Sequence, residues 1–278
     1  MTAVPGPGSE LGPYRLETPL GEGAMGLVFT ATDANGGRVA VKVLRPDLAA
    51  DAVALARFVR EARLSERSGG AHVVPILAAG EADGLAYLAM PYYRGGSLAV
   101  RVRALGRLSV DETADLAAQL GRGLDALHDA GIVHRDVKPS NVLLDGEGSV
   151  ALGDFGLARA ADSTRVTQDG QLLGTPHYLA PELIEGAGAT AASDVYALGC
   201  VLYECLAGAP PFADRSGAAI GFAHLAESPP DPRAARPELS AAVVESLLLA
   251  LEKDPAARPT SATALARMLD LGRTAPRS

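Results

Sequence analysis

The pattern of the sequence changes near residue 90, and this change constrains the fold more than any other feature. From residue 14 to about 90, short strand patterns are separated by turn residues such as Asn35-Gly36-Gly37, and one helix is predicted at roughly residues 48–68. From residue 97 onward the apolar spacing is typical of helices. We therefore expect an α+β, bilobal protein with a small β-rich lobe, a connector at about 91–96 and a larger helical lobe at about 97–271.

The two ends of the chain are expected to be tails. Residues 1–13 contain three Pro and three Gly, and residues 272–278 are short and polar. The start shows neither the basic nor the apolar segment of a secretory signal. The cleft between two such lobes is a natural place for a ligand.

Charge and cysteine content exclude several classes of protein. The formal net charge is -8 at pH 7, whereas general nucleic-acid or membrane-surface binders are basic. The most apolar stretch, from Val195, is interrupted by Glu204 and is too short to cross a bilayer, so it predicts a helix buried on all sides. Cys200 and Cys205 are the only cysteines, and their spacing argues against a disulfide framework. We expect no nucleic-acid partner, no membrane segment in this chain, and a cytoplasmic location, as a complete protein or as the cytoplasmic domain of a longer one.

A polar loop lies between two short apolar runs in GIVHRDVKPSNVLL, residues 131–144. Charges are rarely carried into an interior without a partner, so this loop is expected to present its side chains to a charged ligand. Lysine is rare here, since only three of the 25 basic residues are lysine. A lysine that persists against this bias indicates a site that needs a compact ammonium group. The three are Lys42, Lys138 and Lys253, and for Lys253 chance is an open alternative.

The segment GEGAMGLVF, residues 21–29, carries glycines that let backbone N–H groups approach phosphates. A strand follows it, not the helix of a dinucleotide-binding fold, so it is typical of a flap over a nucleotide or of an ordinary hairpin. In the next strand, period-two alternation places Lys42 on one face with Ala40 and Leu44. Glu61 lies on the inward stripe of the predicted helix and is expected to pair with Lys42, which can then hold nucleotide phosphates.

Two further motifs, DFG at residues 154–156 and GTPHYLAPE at residues 174–182, complete an ordered series. Together with the glycine-rich loop, Lys42 and HRDVKPSN, they resemble the protein kinase catalytic domain of the bacterial serine/threonine type. The resemblance runs from about residue 14 to 271. It implies the bilobal kinase fold and the ATP- and Mg²⁺-dependent transfer of a γ-phosphate to Ser and Thr hydroxyls of proteins, with Mn²⁺ as an alternative metal.

The resemblance also assigns catalytic roles. Asp136 would orient the substrate hydroxyl and accept its proton, and Lys138 would lie beside the γ-phosphate. Asn141 and Asp154 would supply oxygen ligands to Mg²⁺. The full set of catalytic positions is Asp136, Lys138, Asn141, Lys42 and Glu61.

The ATP-binding positions follow from the same resemblance. Met90 corresponds to the gatekeeper, and Pro91 and Tyr93 belong to the hinge. Pro91 has no N–H, but the family's hinge uses only the carbonyl at that position and takes its donor from the position of Tyr93. The implied nucleotide-binding residues are Leu20, Gly21, Glu22, Gly23, Ala24, Met25, Gly26, Val28, Ala40, Lys42, Met90, Pro91, Tyr93, Leu143 and Asp154, of which Val28, Ala40 and Leu143 would enclose the adenine.

Regulation is suggested by the segment between residues 154 and 182. In many relatives the position of Arg135 binds a phosphorylated activation-loop residue, and a phosphothreonine could pair with it bidentately. Thr167 is the leading candidate for that phosphorylation, with Ser163 and Thr164 as alternatives. Asp169 occupies the position of a second phosphothreonine in many bacterial relatives, which argues against dual phosphorylation.

Other implied roles are structural. Glu182 and Arg258 would form a buried ion pair that braces the larger lobe. Asp194 would hold the catalytic loop from below. His134 and Phe155 would pack in the interior and take no part in the chemistry.

Three functions are compatible with this set of residues. An active kinase is favoured because every phosphate-, metal- and proton-handling position is filled, whereas a pseudokinase that serves as a scaffold usually lacks one. A small-molecule phosphotransferase is disfavoured by GTPHYLAPE, which is a peptide-docking feature. The expected partners are protein substrates and the chain itself through autophosphorylation, and a homodimer formed by the small lobe is an open alternative.

Overall fold

The computed structural model describes residues 5–23, 26–45, 58, 70–154 and 176–274. The chain divides into two compact units. Among the described residues, the first unit contains those up to residue 58 together with Val73–Gly95. The second contains Gly70–His72 and the residues from Gly96 onward. The division near residue 95 falls where the sequence changes from strand to helix patterns.

The first unit is built on an antiparallel six-stranded sheet in the order β1-β2-β3-β4-β6-β5. Asp83 and Gly84 both have positive φ, 52° and 74°, as a two-residue type I′ hairpin turn requires. The Asp33 carboxylate accepts hydrogen bonds from the N–H groups of Asn35 and Gly37 and closes the turn before β4. The predicted turn at Asn35-Gly36-Gly37 is therefore confirmed. The strands are β1 Glu10–Leu11, β2 Tyr14–Glu22, β3 Gly26–Thr32, β4 Arg38–Leu44, β5 Ala78–Ala82 and β6 Leu85–Pro91.

The sequence does not predict β5. Its residues, AAGEA, have low strand propensity. They become a strand because they pair with the buried β6, from Ala78 opposite Ala89 to Ala82 opposite Leu85. Tertiary pairing overrides local preference at this edge of the sheet.

Strand register separates the two faces of this sheet. Val28 lies opposite Lys42, and Ala40 lies opposite Met90, so these four side chains share one face. We call this surface the Lys42 face; it consists of Val28, Thr30, Ala40, Lys42, Leu88 and Met90. The opposite face forms an apolar core of Leu11, Tyr14, Leu16, Phe29, Ala31, Val39, Val41, Val43, Leu85, Tyr87 and Ala89. The predicted alternation of β4 is confirmed.

The second unit is mainly helical. Its longest described helix, α2, starts after Ser109, whose Oγ accepts the N–H of Glu112 at 3.0 Å, and ends before Gly131, whose φ of 73° favours glycine. Its core includes Leu116, Leu120 and Leu124, as their spacing predicts. The described helices are α1 Leu98–Leu105, α2 Val110–Asp129, α3 Pro181–Ile184, α4 Ala191–Ala207, α5 Ala218–Ala226, α6 Ala241–Ala250 and α7 Ala262–Thr274.

Helix α4 lies at the centre of this unit. It is buried along most of its length, including both free cysteines, Cys200 and Cys205, and this confirms the prediction of a helix enclosed on all sides. Among the helices that the structure describes, none is both long and apolar enough to span a membrane.

A small three-stranded sheet positions the predicted catalytic residues. Its strands are β7 Gly96–Ser97, β8 Val142–Leu144 and β9 Val150–Leu152, in the order β7-β8-β9. The HRDVKPSN loop enters β8, and Asp154 follows β9 after one residue. The antiparallel pairing of Val142 with Leu152 therefore brings Asn141 and Gly153 together.

A buried histidine in the second unit gives its stability a pH dependence. His224 is fully buried, and its Nδ1 lies 2.7 Å from the hydroxyl of Tyr196. Burial, and then the positive charge of Lys253, lower the pKa of His224 to about 3. His224 thus stays neutral in the folded protein at pH values where an unfolded chain protonates its histidines.

We expect acid to destabilise the protein through His224. Above pH 6.5 both states are neutral, but below it the unfolded state takes up the extra proton, so this residue alone lowers the free energy of unfolding by about 1.4 kcal/mol per pH unit. From pH 7.5 to 5.0 the loss is about 2 kcal/mol. Urea unfolding at both pH values should show this loss in the wild-type chain and a smaller one in His224→Asn, which can still accept the hydrogen bond of Tyr196. Equal losses in the two proteins would contradict the assignment.

Candidate active site

The backbone of the HRDVKPSN loop is held by one buried carboxylate. Asp194, 1% exposed in the first turn of α4, accepts the N–H of His134 with Oδ2 and the N–H of Arg135 with Oδ1, each at 2.8 Å. Arg135 has a φ of 73°, which is strained for a side chain with a Cβ. The two hydrogen bonds stabilise this conformation, and the predicted role of Asp194 is confirmed.

His134 links this loop to the residue before Asp154. Its ring is fully buried, with Nε2 3.1 Å from the carbonyl of Gly153 and Nδ1 3.3 Å from the N–H of Asp136. A carbonyl only accepts and an N–H only donates, so the proton is assigned to Nε2 and the ring is neutral. Burial lowers the pKa of His134 even though Asp194 and Asp136 oppose this effect. His134 is therefore a packing residue, as predicted.

Lys138 and Asn141 both contact the carboxylate of Asp136. Asn141 Nδ2 donates to the carbonyl of Asp136 at 2.8 Å and to its Oδ2 at 3.0 Å. Lys138 Nζ lies 2.8 Å from the same Oδ2, and the Asp136 side chain is 38% exposed. The carboxylate is thus fixed on one side and accessible from another, as a group that must receive a proton requires.

Asn141 and Asp154 offer hard oxygen atoms. Both Nδ2 hydrogens of Asn141 go to Asp136, so its Oδ1 is the atom left to accept a cation. Asp154 is exposed and has a φ of 57°. The residue before it, Gly153, donates its N–H to the carbonyl of Asn141 at 2.8 Å. One amide oxygen and one carboxylate suit Mg²⁺, which takes few protein ligands and completes its shell with phosphate and water.

The Lys42 face belongs to the first unit. Lys42 is only 5% exposed, and the adjoining Ala40 and Met90 are also buried. An ammonium group in such surroundings favours an anionic partner. Apolar side chains beside one buried cation form a surface that can take the flat base of a nucleotide and one of its phosphates.

The three glycines of the glycine-rich loop have different structural requirements. A Cβ on Gly26 would overlap the backbone carbonyl of Val43 on the neighbouring strand, so only glycine fits there. A Cβ on Gly21 would meet nothing within 4 Å, and one on Gly23 would meet only Gly26 O at 3.9 Å. Sterically, only Gly26 is required by the described fold. Glu22, also in this loop, pairs with Arg45 at 3.1 Å.

The remaining predicted site residues are distributed as follows. Leu20 is half-exposed, while Val28, Pro91 and Tyr93 in the first unit and Leu143 in the second are partly buried. Asp136, Lys138, Asn141 and Asp154 belong to the second unit. The predicted residues that lie outside the described ones are Ala24, Met25, Glu61, Phe155, Ser163, Thr164, Thr167 and Asp169.

The predicted ion pair between Glu182 and Arg258 is confirmed. Two guanidinium nitrogens of Arg258 donate to the two carboxylate oxygens of Glu182, each at 2.8 Å, and the Arg258 side chain is fully buried. Burial raises the pKa of Glu182, but the hydrogen bonds from Arg258 and Ser193 outweigh it and the net shift is downward. The pair ties the start of α3 to the segment before α7.

Two histidines that sequence reasoning missed also support the site. His128 Nε2 lies 2.8 Å from Asp194 Oδ2, so α2 also holds the carboxylate that binds the HRDVKPSN loop. His72 lies beside β9, with its Nδ1 2.9 Å from the carbonyl of Val150. Neither position has a sequence pattern that would have identified it, because both contacts join residues more than 60 positions apart.

Comparisons with known proteins indicate one family. The model of the protein kinase domain family matches residues 14–269. Serine/threonine-protein kinase PknE of Mycobacterium tuberculosis (strain ATCC 25618 / H37Rv) is 40% identical over 255 residues, which cover 91% of this chain and 45% of PknE. PknD of the same strain is 40% identical over 266 residues, covering 95% of this chain and 40% of PknD. The chain thus spans less than half the length of these two curated relatives.

A solved structure shows the fold. The crystal structure of the Mycobacterium tuberculosis PknI kinase domain superposes with a TM-score of 0.74 at 32% sequence identity, covering 97% of this chain and 100% of that one. The predicted kinase fold, with a sheet-rich first lobe and a helical second lobe, is confirmed. From its motifs, its fold and its relatives, the chain belongs to the protein kinase domain family.

Proposed function

We propose that this chain is the catalytic domain of a serine/threonine protein kinase, which transfers the γ-phosphoryl group of ATP to hydroxyls of proteins. The observation that carries the proposal is the cluster around Asp136, whose carboxylate is fixed by Asn141 and Lys138 and remains accessible. The names of the curated relatives, serine/threonine-protein kinases, support the same activity.

In the proposed reaction, Asp136 orients the substrate hydroxyl and accepts its proton. The hydroxyl oxygen forms a bond to the γ-phosphorus while the bond from that phosphorus to the bridging oxygen breaks, and ADP leaves with the bonding electrons. Lys138, 2.8 Å from the same carboxylate, places a positive charge where negative charge gathers on the phosphoryl oxygens. Hydrogen bonding to Asp194 keeps the loop backbone from moving as the carboxylate takes up the proton.

Asn141 and Asp154 are the proposed metal ligands, and their oxygen donors fit Mg²⁺, with Mn²⁺ as a substitute. The bound ion would neutralise charge on the phosphate oxygens. The β7-β8-β9 sheet sets the relation between the two ligands, because Gly153 is bonded to the backbone of Asn141.

The Lys42 face is the proposed nucleotide surface. Lys42 would hold the α and β phosphates and would itself be held by Glu61, as in the family's pattern. Ala40 and Val28 would contact the adenine. Met90 would stand at the back of the base and the backbone of Tyr93 would donate to it.

Replacing Asp136 tests the proposal directly. With Mg²⁺, labelled ATP and a generic protein substrate, the wild-type chain should place phosphate on Ser or Thr. Asp136→Asn removes the proton acceptor at nearly constant volume and should lower the rate by about 10²- to 10⁴-fold. Asp129→Asn, the same change at an exposed position at the end of α2, is the matched control and should have the wild-type rate.

The outcomes separate the kinase from the scaffold. Binding of the nucleotide by the wild-type chain, without transfer to any substrate, would contradict the kinase and support a pseudokinase. Transfer that survives Asp136→Asn would reject Asp136 as the proton acceptor. Omitting the divalent metal should abolish transfer in every variant.

We also propose that the kinase is activated by phosphorylation of Thr167, with Ser163 and Thr164 as alternatives. The argument rests on Arg135, whose backbone is fixed by Asp194 directly beside the catalytic Asp136. A phosphothreonine paired with this guanidinium would order the segment around it, and a charge-assisted pair contributes about 1.5–3 kcal/mol.

Thr167→Ala should therefore lower the initial rate on an added substrate by roughly tenfold or more, because the charge-assisted pair is lost. Initial rates and mass-spectrometric mapping of the phosphorylated residues would test this. Ser163→Ala, an equally small change at one of the alternative positions, should leave the rate unchanged if Thr167 is the activating residue. An unchanged rate in Thr167→Ala would reject it as the activating position.

The proposed partners are protein substrates and a second copy of the chain. Autophosphorylation between copies predicts an initial rate per enzyme that rises with enzyme concentration, and contact through the small lobe is one way to bring two copies together. We place the domain in the cytoplasm because it needs ATP and because Cys200 and Cys205 are free thiols.

A further inference from the structure

His72 belongs to a segment that packs with the second unit, although the next residue, Val73, belongs to the first. The segment, Gly70–His72, is three residues long. Its ring nitrogens make two contacts within the second unit. Nδ1 lies 2.9 Å from the carbonyl oxygen of Val150, and Nε2 lies 3.1 Å from Nη2 of Arg122.

The partners of His72 fix the direction of its hydrogen bonds. The Val150 carbonyl can only accept, so Nδ1 carries the proton, and Nε2 then accepts from the guanidinium of Arg122. The ring is thus the middle of a chain of hydrogen bonds from Arg122 on α2 to the start of β9.

The backbone of His72 makes a third contact with β9. Its carbonyl accepts the N–H of Leu152 at 2.8 Å. Among the described strands of this sheet β9 lies at the edge, so the outward polar groups of Val150 and Leu152 need partners from outside those strands. His72 is the hydrogen-bond partner of one such group at each end of the strand, the carbonyl of Val150 and the N–H of Leu152. Gln119 accepts the N–H of Val150 at 3.0 Å.

A glycine in α2 provides independent support. A Cβ on Gly123 would lie 2.7 Å from the His72 carbonyl oxygen, closer than real Cβ contacts. Glycine is disfavoured inside a helix, and here it lets the His72 backbone lie directly against α2. The segment is therefore held from two sides, by α2 and by β9.

The strand that His72 holds leads directly to the proposed metal site. After Leu152 comes Gly153, which is bonded to Asn141 and His134, and then Asp154. We propose that His72 is a positioning residue for Asp154. It hydrogen-bonds to the outer edge of β9 and so fixes the backbone position from which the carboxylate of Asp154, the proposed metal ligand, extends. This inference rests on the proposed function for the role of Asp154, but its structural part does not.

The first measurement is amide hydrogen exchange at Leu152 and Gly153, in the absence of nucleotide and metal. His72→Leu fills most of the space but lacks both ring hydrogen bonds, and it should accelerate exchange at both amides. His72→Asn places an amide N–H near the position of Nδ1 and should restore exchange toward the wild-type rate. This contrast separates hydrogen bonding from packing.

A pair of glycine variants controls for general destabilisation. Gly123→Ala should accelerate the same amides by displacing the His72 carbonyl. Gly121→Ala makes the identical change two residues away. There the added Cβ would meet the backbone of Ala262 and Thr263 at the start of α7 and not His72. It should lower thermal stability without a selective effect on Leu152 and Gly153.

The second measurement is the affinity for Mn²⁺ with ADP, followed by electron paramagnetic resonance of the ion. Groups that orient metal ligands typically contribute 10- to 100-fold in affinity, so His72→Leu should weaken binding by about tenfold and His72→Asn by less. Arg122→Ala leaves the bond to Val150 in place and should have an intermediate effect.

Each outcome decides the inference. Unchanged exchange in both His72→Leu and Gly123→Ala would overturn it, and so would faster exchange with wild-type Mn²⁺–ADP affinity. If the wild-type chain binds no Mn²⁺–ADP, the proposed function fails, and exchange at Gly153 alone decides whether His72 holds the segment before Asp154.

Discussion

The HRDVKPSN loop depends on one buried negative charge, the carboxylate of Asp194. A buried carboxylate is unfavourable unless its oxygens are hydrogen-bonded, and here they accept from the backbone of His134, the backbone of Arg135 and the ring of His128. Its position in the first turn of α4 adds the favourable end of the helix dipole. Because α4 is packed on all sides, this carboxylate transmits the rigidity of the core to a loop that would otherwise be free to change conformation.

The same principle recurs around the site. Polar groups there are positioned by histidine rings that donate a hydrogen bond from one nitrogen and accept one at the other. Neutral His134 joins Asp136 to Gly153, and neutral His72 joins Arg122 to Val150. Each ring has one donor and one acceptor nitrogen, so each fixes two elements in a defined orientation. Asp136 is left with an accessible oxygen because its other contacts are made by Asn141 and Lys138, and this combination of support and access is what a proton acceptor needs.

Much of the fold could be predicted from local pattern. Period-two alternation placed Lys42 on the face opposite the apolar core, and turn residues located the hairpins, because both signals depend on neighbours in the sequence. The strand β5 could not be predicted in this way, since alanine and glycine become a strand there only by pairing with β6. For the candidate site, motif spacing predicts Asp136, Lys138 and Asn141, which the structure brings into contact. It could not predict His72 or His128, whose partners are distant in the chain and carry no recognisable spacing.

The sequence by itself determined the chemistry that is available: which side chains carry charge, which strand faces are apolar and which family motifs occur in order. Only the tertiary structure decided that one carboxylate on α4 holds two N–H groups of the catalytic loop, that Gly26 but not Gly21 must lack a side chain, and that residues 70–72 pack with the second unit. The physical reason is that hydrogen bonds and steric contacts act over about 3–4 Å in space, whereas sequence patterns report only neighbours along the chain.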